Sequence, residues 1–77
     1  MSREQEMRKK LLYLAKDCEE IASKLSEILE DYKTAVGETE EGRELREAFI
    51  KLLENQIAWL KLTADSARIS AGKEEKQ

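Results

Sequence analysis

A chain of 77 residues makes one small domain, close to the lower limit at which a hydrophobic core suffices alone. Charged residues are 40% of it and hydrophobic residues 40%, with three glycines and no proline, a profile of long amphipathic helices and not of a disordered or disulfide-stapled chain. The net charge of -3 leaves no basic stripe for a nucleic acid, and the absence of histidine removes the usual neutral-pH base and every Ser/His/Asp or Cys/His catalytic set.

Residues 1–10 are polar, and no apolar run is long enough for a signal core or a membrane span, so a soluble cytoplasmic protein is expected. A first helix is predicted from about Arg3 to Val36. Ser2 offers an N-cap, and Glu4 and Glu6 place acid in the first turn, where the helix dipole favours it. Met7, Leu11, Leu14, Cys18, Ile21, Leu25, Ile28, Tyr32 and Ala35 follow one another in steps of four and three, which keeps one seam apolar over the whole helix. A second row, Ala15, Ala22, Leu29 and Val36, widens that seam to a stripe suited to two neighbours, as in a four-helix bundle. Lys9, Lys16, Glu20, Lys24, Glu27 and Asp31 form the solvated side, with Glu6–Lys10 and Glu20–Lys24 in the favourable i,i+4 order. Cys18 is the single cysteine, so it has no internal disulfide partner; on the seam it reads as a small core hydrophobe, with a reactive or intermolecular thiol as the alternative.

Gly37 reads as the C′ glycine of helix 1, and Thr39 as the N-cap of a second helix that opens with Glu40 and Glu41. So short a connection makes the second helix antiparallel to the first, giving an all-α helical hairpin over residues 1–77. Helix 2 is predicted to about Ala71, with a charged, frayed tail from Gly72 to Gln77. Leu45, Phe49, Leu52, Leu53, Gln56, Leu60, Thr63, Ala64 and Ala67 share one of its faces, flanked by Ala48, Ile57 and Trp59. That arc is too wide for one partner helix to cover. Antiparallel pairing sets Tyr32 near Leu45, Ile28 near Phe49, Leu25 near Leu52, Leu14 near Thr63, and Leu11 near Ser66 or Ala67.

Gln56 lies mid-face, where a polar side chain either fixes register by pairing with its own copy or turns its amide outward from the rim. Trp59, the only tryptophan, is either an interface anchor or a core filler. Leu62 and Ile69, like Leu12 and Tyr13, fall off the seams. The acidic turn end lacks the alternating ligands of a calcium loop, and the Glu27/Glu30 and Glu44/Glu47 pairs have no histidine to complete a carboxylate metal helix. No Gly-rich phosphate loop or Cys-x-x-Cys is present, so neither cofactor, metal nor small-molecule substrate is expected.

These features predict a non-enzymatic interaction module: a helical hairpin that pairs into a four-helix bundle, either with a second copy or by cradling a helix of another protein. Leu11, Leu14, Cys18, Ile21, Leu25, Ile28, Phe49, Leu52, Gln56, Trp59, Leu60 and Thr63 are the expected interface. In architecture alone the hairpin resembles small dimeric RNA-binding hairpins and the helical-hairpin co-chaperones of secretion systems; the acidic balance speaks against the RNA-binding version. The alternative is a helical bundle, designed or otherwise, with no evolved activity. Regular heptads and the lack of proline and histidine suit it; Cys18, Gln56 and the Thr/Ser-rich end of helix 2 do not.

Overall fold

The first helix, α1 (Arg3–Thr34), begins on a reciprocal cap. In the computed structural model, which describes residues 2–34 and 39–76 and side chains as far as residue 73, the Gln5 backbone N–H donates to Ser2 Oγ at 3.2 Å. The Ser2 backbone N–H donates in return to Gln5 Oε1 at 3.2 Å, so each of two otherwise orphaned donors is satisfied by the other residue's side-chain oxygen. Glu4 and Glu6 add first-turn charge beside this box. At the other end Thr34 Oγ1 donates to the carbonyls of Glu30 (3.2 Å) and Asp31 (3.1 Å), and Lys33 occupies the last turn. The expected helix end at Val36 and the capping Gly37 lie outside the described residues, as do Ala35 and Glu38.

The second helix, α2 (Glu40–Lys76), opens on Thr39 as expected. Its hydroxyl accepts from the Gly42 N–H at 3.1 Å and its carbonyl from the Arg43 N–H at 2.9 Å. The helix continues through Gly72, past the expected end near Ala71. A lone helical glycine costs only about 1 kcal/mol, and the Lys and Glu residues that follow are good helix formers. A Cβ built on Gly72 meets nothing within 4 Å. Gly72→Ala is therefore expected to stabilise the fold by about 0.5–1 kcal/mol, read as a raised thermal midpoint; a lowered midpoint would mean that the backbone there is not helical in solution.

The two helices pack along their length as a hairpin measuring 58 × 14 × 13 Å. Its core is made mostly of small side chains. Ala15, Cys18, Ala64 and Ala67 form one buried cluster, with Leu11 and Leu60 against it; Ala22, Leu29, Leu53 and Ile57 form the other, with Leu25, Ile50 and Leu60 against it. Ala15 is 0% exposed and Ala64 1%. The row Ala15, Ala22, Leu29, expected as the shoulder of the seam, is thus its centre, and Ile57, expected on a flank, is core. Small side chains let helix axes approach closely, and Leu or Ile in the same places would hold them apart.

The register also differs from the expected one. Tyr32 lies against Phe49, ring centroids 4.9 Å apart at 63°, one helical turn further along α2 than the expected Leu45. Leu25 packs against the cluster of Ala22, Leu29, Leu53 and Ile57, and Leu52, its expected neighbour, is exposed. With Tyr32 level with Phe49, the first turns of α2 stand past Thr34, and Leu45 is left 70% exposed.

Candidate functional site: an uncovered apolar face

Turning about 100° per residue, the buried row of α1 separates two different sides of the hairpin. Ile21 and Ile28 lie to one side of Ala22 and Leu29; Glu19 and Ser26 lie to the other. On α2 the same construction puts Phe49, Gln56 and Thr63 to one side of Leu53 and Ile57, and Lys61, Asp65 and Arg68 to the other. Contacts between the helices match like with like. The Tyr32–Phe49 ring pair joins the apolar sides, while the Glu19–Arg68 and Lys33–Glu54 ion pairs join the polar ones.

The polar side is a water-exposed surface with an open groove lined by Glu19, Ala22, Ser23, Ser26, Lys61 and Asp65. Ser26 Oγ is already committed to the Ala22 carbonyl at 2.9 Å. Lys33 Nζ stands 4.0 Å from the Glu54 carboxylate. The hydrogen bond from Arg68 holds the Glu19 carboxyl below the ordinary glutamate range, outweighing the opposing effect of desolvation, with the Arg68 charge adding a lesser pull in the same direction. A depressed folded-state pKa means that the pair contributes above the unfolded-state pKa and is lost as pH falls through the folded one. Both side chains are about half exposed, so water screens the gain. Arg68→Gln is expected to raise the Glu19 titration midpoint followed by carboxyl NMR while leaving the neutral-pH melting point almost unmoved. An unchanged Glu19 midpoint would remove the pair from the solution structure.

The apolar side is different in kind. Met7, Leu14, Ile21, Ile28 and Tyr32 from α1, with Leu45, Phe49, Leu52 and Trp59 from α2, are all exposed: Ile21 is 47% open to water and Trp59 65%. Gln56 and Thr63 complete the face as its exposed polar members. The seven-residue steps Met7–Leu14–Ile21–Ile28 hold it on one side of a helix whose inner row is largely alanine. Leu62 and Ile69 are exposed on the back of α2 and belong to neither side.

The expected interface residues therefore divide. Cys18 is buried and Leu11, Leu25 and Leu60 are half-buried inside the hairpin; Leu14, Ile21, Ile28, Phe49, Leu52, Gln56, Trp59 and Thr63 face out. Met7, Tyr32 and Leu45 join the outward set; the first two were legible as members of the same 3-4 repeat, and Leu45 as a member of the helix 2 arc. Among the described residues, no group of three or more His, Cys, Asp or Glu could hold a metal ion, and no helix is long and apolar enough to cross a membrane. Compared with known proteins, the chain matches no family model, no curated protein and no solved structure.

Proposed function

We propose that the chain is a non-enzymatic self-assembly module, whose hairpins pair through this apolar face into a four-helix bundle. One observation carries the reading: the size order of the apolar residues is inverted. Alanines fill much of the hairpin core, while isoleucines, leucines, a phenylalanine and the tryptophan stand outside it. Burying a large aliphatic or aromatic side chain is favourable by about 1.5–3 kcal/mol, so a face of nine such groups strongly favours being covered.

The exposed area supports the same reading. A folded monomer of 8.9 kDa exposes about 4,800 Å² on the usual size scaling. This hairpin exposes 6224 Å². The surplus, about 1,400 Å² per copy, lies within the roughly 1,000–2,500 Å² that each partner buries in an obligate homodimer.

Sedimentation equilibrium at micromolar concentration is expected to give twice the 8.9 kDa chain mass, with a melting point that rises with protein concentration. Trp59 supplies a second signal, since it is the only tryptophan and sits on the face: its emission should shift to the blue as the protein is concentrated. A chain that stays monomeric, red-emitting and fully folded at high concentration would sink the proposal.

A further inference from the structure

The same sequence carries a charge asymmetry that decides how two copies would lie. Residues 18–60, the half of the hairpin nearest the turn, contain five basic and eleven acidic side chains; residues 1–17 and 61–77, the open half, contain nine basic and six acidic. Each hairpin is therefore a rod 58 Å long, negative at the turn and positive where its ends meet. Two such rods laid face to face with their turns together would set negative half against negative half. Charges on stacked helices sit about 10 Å apart, close to the Debye length of about 8 Å at physiological salt, so this repulsion is only partly screened. Turning one rod end over end replaces it with attraction at both ends, and like-charge juxtaposition is a strong source of discrimination between binding modes.

Resting on the self-assembly reading above, we infer that the occupant of the apolar face is a second copy of this chain with its turn at the opposite end, related by a dyad across the bundle's long axis. In that arrangement α1 lies antiparallel on α1 of the second copy and α2 on α2, so every adjacent pair of helices is antiparallel. The apolar row of α1 then packs against its own copy around Ile21 and Ile28, level with the middle of α2. The helix α2 spans Glu40–Lys76, so full overlap places its middle, the Gln56–Trp59 segment, level with the same segment of the other copy. Gln56 gains a partner amide in a largely apolar seam, a device that penalises slipped registers.

The orientation is read by pulsed dipolar spectroscopy on the full chain carrying one spin label, at Glu41→Cys in a Cys18→Ala background. Glu41 is exposed near the turn; Cys18 sits in the small-residue core beside Ala15, where alanine fits. The inferred dimer gives a label–label distance of about 50 Å, from the 1.5 Å helical rise. A dimer with turns together gives about 20 Å or less and overturns the orientation while leaving self-assembly standing. No dipolar coupling, with a monomer mass, overturns both. The unmodified chain gives an independent check: dimer dissociation should increase severalfold between about 20 and 500 mM salt, and tightening over that range would overturn the inferred orientation.

Discussion

Ile21→Asp combined with Leu52→Asp is expected to convert the proposed dimer into a monomer. Each residue stands on the apolar face, one on each helix, and neither belongs to the clusters that hold the hairpin closed. Truncating a well-buried interface anchor typically costs about 2–4 kcal/mol, so either change alone should weaken association by about 30-fold or more. An unpaired carboxylate in an apolar seam adds its desolvation cost, and the pair together should abolish dimers at micromolar concentration. Two controls separate the surfaces. Leu62→Asp, on the back of α2, should leave mass and melting point almost unchanged, because Leu62 is exposed and off both faces. Leu25→Asp should instead unfold the hairpin, since Leu25 packs on the cluster of Ala22, Leu29, Leu53 and Ile57. If the double variant sediments as the parent does, the apolar face is not the contact surface.

The helices, their starts and the hairpin itself were legible because they rest on local chemistry. Ser2 and Thr39 are good N-caps whatever packs nearby, and no proline interrupts either helix. The inner face was harder to read. Two adjacent rows of α1 compete for α2, and hydrophobicity favours Leu14, Ile21 and Ile28 over Ala15 and Ala22. Steric fit decides the other way: Ala15 packs with Ala64 and Ala67, small side chains favour close approach of the axes, and the larger row turns outward. A one-dimensional pattern ranks residues by apolarity and carries no measure of how near two helices can come. The register differed too, with Tyr32 against Phe49 one turn along α2 from the expected Leu45. Of the twelve residues expected at an interface, eight lie exposed, Leu14, Ile21 and Ile28 from the repeat of α1 and Phe49, Leu52, Gln56, Trp59 and Thr63 from the arc of α2.

That steric argument makes the alanine row the most fragile part of the fold, and Ala64→Leu tests it. Ala64 is buried against Ala15, Cys18 and Ala67, with Leu11 and Leu60 alongside. A leucine adds three carbons where the opposing side chains have no room to retreat, so α1 and α2 must separate or α2 must rotate. Overpacking of this kind costs about 1–3 kcal/mol, a large part of the stability of so small a domain. Hydrophobicity alone predicts the reverse, because leucine is the more apolar residue and the better knob for a conventional seam. The sign of the change therefore discriminates between the two accounts: a fall in the urea midpoint supports close alanine packing, and a rise supports a looser seam that accommodates larger groups. Ala58→Leu and Ala48→Leu, at exposed positions of the same helix, control for helix propensity and should shift the midpoint little. Leu53→Ala supplies the complementary defect. Leu53 is among the few large side chains buried in the seam, and the cavity it leaves should cost about 2–5 kcal/mol. A hairpin that resents both more volume at Ala64 and less at Leu53 is one whose seam is fitted at both ends, and a seam so fitted has no space left for Ile21, Ile28 or Trp59, whose burial then requires a surface from outside the chain.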